Sequence, residues 1–305
     1  MRRVSILVFL MLLGLNPALP GQAPTAAERR ETLAWLAARR HDSGGYAADA
    51  AHGSPATLPA TSAAVRAIRL FGGRIEGVAA TETFIKSCVT PDGLAPRPAM
   101  PADVRTTAVG IMAYLELRPQ TQLNVGQINL LLGGAVEALY ARSRTFDDIR
   151  IAAAALEALG DRSADHAAQR RGWITQVEAL RRPMGWFGQT GDEARETASA
   201  VVTLLRLGGR VDKPGDVVQL LRQQQHKTGG WGTTPTAAPD LESTYRVARC
   251  FVMLDGRPDT AALAQFVRTC RNADGGYGLQ PGQRSNVSAT YFAGSVLAWL
   301  ENWGQ

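Results

Sequence analysis

The sequence predicts an all-α fold, an α6/α6 toroid of six helical hairpins of about 46 residues each. Three observations predict it. A glycine follows several helical runs at a nearly constant interval. A polar residue and a threonine recur in step with that glycine. The last unit ends in a strongly apolar run, Ala293 to Trp303, where an open array would need a polar cap. Closing the hairpins into a ring buries both ends.

The glycine ladder comprises Gly44, Gly93, Gly185, Gly229 and Gly275, at spacings of 49, 92, 44 and 46. The gap of 92 is twice 46, so one unit near residue 140 lacks its glycine. Each glycine is placed to take the left-handed conformation that ends a helix. An aromatic follows in most units: Tyr46, Phe187, Trp231 and Tyr277. These aromatics read as packing wedges between units.

The second ladder is Thr61, Thr107, Thr197, Thr244 and Thr290, with Ile151 in the remaining place. Four residues before each rung stands Thr57, Asp103, Asp147, Glu193, Asp240 or Asn286. Most of these side chains can accept from the unpaired N–H groups that open a helix. An Ala- and Leu-rich run follows each one, so six capped inner helices alternate with six more amphipathic outer ones. The period never breaks, and residues 24–305 read as one domain.

Residues 1–23 read as a signal peptide. Arg2 and Arg3 precede an apolar run from Val4 to Leu15, and Asn16, Pro17 and Pro20 break it before the small residues near Ala23. That run is too short to span a bilayer. The expectation is a secreted or periplasmic protein with no transmembrane segment after processing. The basic balance is almost wholly arginine, since Lys86, Lys213 and Lys227 are the only lysines among 33 Lys and Arg. Without the leader the net charge is a mild, scattered +4, which gives no support for nucleic-acid binding. Cys88, Cys250 and Cys270 have no metal-binding spacing. A Cys250–Cys270 disulfide and three small buried thiols are both open.

Gln225, Gly229 and Trp231 fit a Gln-x-x-x-Gly-x-Trp motif. In this the chain resembles the prenyltransferase and squalene-cyclase repeat superfamily. It looks most like the protein prenyltransferase β subunit of the Rab geranylgeranyl type, most sharply over residues 214–300. The resemblance implies an α/α toroid with an isoprenoid in its centre and a zinc site of Asp, Cys and His. Asp240 stands where the family's Asp would. Leu241, Glu242 and Ser243 follow it without the expected Cys, and Cys250 is out of register. Ser288 lies near the place of the His, and His226 is the last histidine in the chain. No Lys or Arg lies between Lys227 and Arg246, where the family carries its diphosphate clamp. Zinc is therefore expected in the family but predicted absent here, so the expected cofactor is none.

Other residues point to alternative chemistries. Asp240, Glu242, Asp147 and Asp148 are the candidate catalytic acids. A pair of them fits glycoside cleavage, while regular repetition fits helix capping. Glu242 departs from the repeat and is the better candidate for a special role. Arg105 and Arg195 share one slot in two units and suit a cationic rim for a phosphate or carboxylate. Tyr245 and Tyr291 follow the threonine ladder only in the last two units and are expected to line a pocket.

Three functions are consistent with these residues. The first is an exported, prenyltransferase-like toroid that binds an isoprenoid or other lipid-like small molecule, or a partner protein, without turnover. The second is a periplasmic carbohydrate-active enzyme with a carboxylate pair. The third is a divergent protein prenyltransferase. Apolar and aromatic cavity walls favour the first, and two facing carboxylates favour the second.

Overall fold

The computed structural model describes residues 23–304 except 119–122, 162, 183–184 and 189–193. The leader, apart from Ala23, and the expected cap Glu193 lie outside the described residues. Thirteen helices and two two-residue hairpin ladders make up the regular structure among them. The outer helices are α1 (Ala26–Ala37), α3 (Val78–Ser87), the pair α5 (Val125–Leu131) and α6 (Ala135–Arg142), α8 (Ala167–Glu178), α10 (Pro214–Gln223) and α12 (Thr260–Thr269). The inner helices are α2 (Leu58–Leu70), α4 (Val104–Leu117), α7 (Phe146–Leu159), α9 (Ala194–Arg206), α11 (Leu241–Met253) and α13 (Val287–Trp303). Burial separates the two layers. Ten of fourteen residues are buried in α4 but three of ten in α10.

Inner helices pack in sequence, α2 on α4, then α7, α9, α11 and α13, and α13 packs back on α2. Small residues bring them close. A Cβ on Gly110 of α4 would lie 3.0 Å from Leu58 of α2, and one on Gly294 of α13 would lie 2.9 Å from Phe71 at the end of α2. The ring is sealed between the first and last units. The Gly275 carbonyl accepts from Thr32 Oγ1 at 2.7 Å, and Asp274 accepts from Trp35 Nε1 at 3.0 Å. The Val287 N–H donates to the Ala48 carbonyl at 2.9 Å. Arg29 pairs with Glu301 across the same seam.

The threonine ladder has a specific task. Each Oγ1 accepts the backbone N–H of a buried loop residue: Tyr46 on Thr61 at 2.9 Å, Leu94 on Thr107 at 2.9 Å and Phe187 on Thr197 at 3.0 Å. Trp231 on Thr244 at 3.1 Å and Tyr277 on Thr290 at 3.2 Å complete the set. The four aromatics are at most 2 % exposed and fill the gaps between layers. Gln225 ties its loop to the next unit, donating to the Gly229 carbonyl at 2.7 Å and accepting the Asp259 N–H at 2.9 Å. Gly229 itself is required by the close approach. Its φ is +103°, and a Cβ there would lie 1.8 Å from the Ala262 carbonyl oxygen.

Thr57, Asp103, Asp240 and Asn286 cap α2, α4, α11 and α13 as expected. Asp147 does not cap α7. Thr145 does, accepting the Asp148 N–H at 3.2 Å while Asp148 accepts the Thr145 N–H at 3.1 Å. This reciprocal capping box satisfies two donors at once, so the helix starts before the repeat register predicts. The same unit has Ile151 in the threonine slot, and its outer layer is split into α5 and α6 at Gly133 and Gly134. The three cysteines are free and fully buried, so the Cys250–Cys270 disulfide is not formed.

Thr244→Val should leave the buried Trp231 N–H without an acceptor and cost about 1–3 kcal/mol in a denaturant titration. Gly229→Ala should cost more, because it adds a backbone clash. Gly282→Ala, at φ +78° with nothing near its Cβ, should cost only about 1–2 kcal/mol. Equal losses at both glycines would remove the close-approach argument.

Candidate functional site

The inner helices enclose a central cavity of about 450 Å³, and all six contribute to its wall. Their side chains form two tiers. The first lies near the helix N-termini and contains Arg105, Arg150, Glu242 and Arg246. The second lies farther along the helices and contains Arg66, Glu157, Arg206 and Arg249. Val109, Met112, Ile151, Ala154 and Val202 give the wall an apolar side. The expected apolar and aromatic lining is thus only part of the wall. Six guanidinium groups against two carboxylates make the rest strongly cationic.

Glu242 is the hub of the first tier. It accepts from Arg246 at 2.6 Å and from Arg195 at 3.2 Å. Burial raises its carboxyl, but Arg246 and Arg195 outweigh burial and hold it below the usual carboxylate range. Arg150 reaches Asp147 at 3.2 Å. Burial and then the repulsion of Arg246 bring its guanidinium down to about 10. Arg105 lines the cavity from an exposed position.

Glu157 is the hub of the second tier, accepting from Arg206 at 2.9 Å and from Arg249 at 3.2 Å. Arg66 lies over the Tyr291 ring, 4.1 Å from its centroid, and hydrogen-bonds its hydroxyl. The Tyr245 and Tyr291 hydroxyls are 3.2 Å apart. Tyr245 also stacks on Trp299 at 5.4 Å. Burial pushes the Tyr245 phenol up, but Arg66, Arg249 and Arg206 outweigh it and bring the group down to about 8. Burial pushes Tyr291 the other way, well above an ordinary phenol. The Ser62 and Ser199 hydroxyls also line the cavity. They are buried and have no hydrogen-bond partner within the protein.

The residues singled out in the sequence meet only in part. Tyr245, Tyr291, Arg105 and Glu242 line the cavity. Arg195 stands behind Glu242 and holds it. Asp240 spends both oxygens on Ser243, accepting from its N–H at 2.8 Å and its hydroxyl at 2.7 Å. Asp147 is largely exposed on Arg150, and Asp148 is consumed in the capping box. Sequence reasoning missed Arg66, Arg206, Arg249, Glu157, Ser62 and Ser199. The available signal was a charge in the middle of an Ala-rich inner helix. Arg66 and Arg249 each lie nine residues after their caps, Thr57 and Asp240.

The family's zinc does not fit these residues. The Asp240 carboxylate is committed to its own helix, and Glu242 and Ser288 stand near the places of the thiolate and imidazole ligands. Burial pushes the Cys250 thiol far up, away from the thiolate that a metal takes. Among the described residues no three His, Cys, Asp or Glu side chains converge to hold a metal ion.

The closed double ring of helices with its central chamber defines the class, and the sequence match agrees. Residues 3–148 and 150–304 match the prenyltransferase alpha-alpha toroid domain, and the chain belongs to that family. No curated protein matches the sequence. Among solved structures, Candida albicans protein geranylgeranyltransferase-I complexed with GGPP is similar at 12% identity and a TM-score of 0.59. That match covers 79% of this chain and 84% of that one. A wild-type glycosidase is similar at 14% identity and a TM-score of 0.59, covering 91% and 96%. The ent-copalyl diphosphate synthase from Streptomyces platensis gives 16% identity and a TM-score of 0.54, covering 81% of this chain and 50% of that one. At these identities the likeness is one of fold.

The Tyr245 phenol titrates near 8 in the folded chain against about 10 unfolded. Its folded pKa is depressed, so its stabilisation is complete above pH ~10 and is lost as pH falls through 8. The stability difference between wild type and Tyr245→Phe should therefore shift in favour of wild type from pH 8 to pH 10. A difference that stays constant in denaturant titrations would show that the three arginines do not depress this phenol.

Proposed function

We propose that the protein is an exported binding protein whose central cavity holds a small amphipathic organic anion. The observation that carries this reading is the wall itself, with six arginines against two glutamates beside an apolar face. Arginine binds phosphate and carboxylate through paired N–H donors, and burial strengthens such bonds. The apolar face gives a hydrocarbon body somewhere to leave water. That the fungal neighbour is complexed with GGPP supports a lipid-like ligand. The apolar leader, residues 4–15, supports export. A phosphate or carboxylate head here meets a cluster of guanidiniums instead of a zinc ion and its loop clamp.

The carboxylate-pair reading has less support. A glycoside-cleaving acid needs a raised pKa. Glu242 is held low by two guanidiniums, and Glu157 is likewise engaged by two.

Decanoate and decanol are suitable probes in calorimetric titration. Decanoate should bind, and decanol should bind at least tenfold more weakly. Arg246→Met should weaken decanoate about tenfold or more, the value of a charged hydrogen bond at about 1.5–3 kcal/mol. Glu242→Gln should tighten it, because it removes the competing carboxylate. Equal affinity for acid and alcohol, or weaker anion binding in Glu242→Gln, would sink the anion reading. Mass spectrometry of the secreted protein should find an N-terminus near residue 24.

A further inference from the structure

We propose that the ligand of the central cavity carries an anionic group at each end, one held at each tier, with an apolar segment between them. This rests on the amphipathic-anion reading and specifies its chemistry.

The two tiers are built alike. In each, one carboxylate is shared by guanidiniums from α9 and α11. Glu242 takes Arg195 and Arg246, and Glu157 takes Arg206 and Arg249. In each, the wall keeps a surplus of cations. The first tier sets Arg105, Arg150 and Arg246 against Glu242, and the second sets Arg66, Arg206 and Arg249 against Glu157. Three charges against one leaves +2 at either tier, and counting the charges behind the wall, Arg195 and Asp147 at the first and Arg69 and Glu116 at the second, leaves that balance unchanged.

A ligand with one head answers only one of these surpluses. Its hydrocarbon end would then lie against the guanidiniums of the other and take them out of water. Buried charge without a counter-charge is costly. The side chains already register the crowding. Arg206 is drawn down by burial and by Arg249, as Arg150 is by burial and Arg246.

The spacing sets the ligand's length. Arg150 and Glu157 are seven residues apart on α7, as are Glu242 and Arg249 on α11. At the helical rise, seven residues separate the tiers by roughly 10 Å. Ile151 and Ala154 lie between them on α7, and Val109, Met112 and Val202 face the same gap. Ser62 lies one turn from Arg66 on the same face of α2. Its buried, unpartnered hydroxyl offers a further donor beside the second tier.

The test compares sebacate, whose two carboxylates reach both tiers, with decanoate and succinate on the full secreted chain. Sebacate should bind at least tenfold more tightly than either. Arg246→Met and Arg249→Met should each reduce sebacate to the affinity of decanoate. Circular dichroism establishes that each variant is folded. Tyr245 supplies a readout that needs no charge variant. An anion at the second tier offsets the field of Arg66, Arg206 and Arg249, so sebacate should raise the pH at which Tyr245 ionises in the near-ultraviolet. Tyr245→Phe should abolish that shift. The bisphosphate of decane-1,10-diol distinguishes the head group, and tighter binding than sebacate assigns phosphate ends. Decanoate binding as tightly as sebacate would overturn the two-headed ligand and leave the amphipathic anion standing. Failure of all these anions to bind would overturn both.

Discussion

The hydrogen bond from a loop N–H to a threonine hydroxyl is the interaction on which the rest of the structure depends. It occurs in five of the six units, wherever the threonine is present. The same hydroxyl donates to a carbonyl in return, as Thr107 does to Asp103 at 2.7 Å. One small side chain thereby joins the end of an outer helix to the start of an inner one. It also fixes where the loop aromatic enters the core. Because the bond is buried, breaking it leaves a donor with no water to replace the acceptor. The spacing between layers follows from this, and the bore of the ring follows from that spacing.

The unit without the threonine illustrates the constraint. Ile151 cannot accept a hydrogen bond, and its side chain faces the cavity instead. The layer outside it is two short helices in place of one. Thr145 and Asp148 secure the helix start that the ladder secures elsewhere. With its usual loop bond gone, this unit contributes three cavity residues that matter to the site: Arg150, Ile151 and Glu157.

The cavity shows how one frame can carry different side chains in its bore. The inner-helix caps are occupied with structural work, and Asp240 is the clearest case. What remains for function projects from the helix bodies. There arginine replaces the aliphatic residues that an Ala-rich helix would be expected to present. Burying so many guanidiniums is tolerable because Glu157 and Glu242 are each shared by two of them and because Arg66 lies against a tyrosine ring. The result is a chamber lined with paired and stacked positive charge.

Most of the frame was legible in the sequence. The period, the left-handed glycines, the wedges and four of the caps are local features, and local geometry repeats when sequence does, although the glycines turn the loops six or seven residues past the outer helices and do not end them. Even the exception at Asp147 has a local cause, a threonine and an aspartate three residues apart. Tyr245 and Tyr291 could be singled out because they break the repeat. The sequence by itself thus determined a closed ring of helical hairpins and pointed to four of its cavity residues, Tyr245, Tyr291, Arg105 and Glu242. Only the tertiary structure decided which charges meet. Arg249 and Glu157 are 92 residues apart, and Arg66 and Tyr291 are 225 apart. Periodicity records which face a side chain occupies, but it carries no record of the partner across the bore. That partner is set by the rotation of each helix and the closure of the ring, and Coulomb attraction acts only once both are in place.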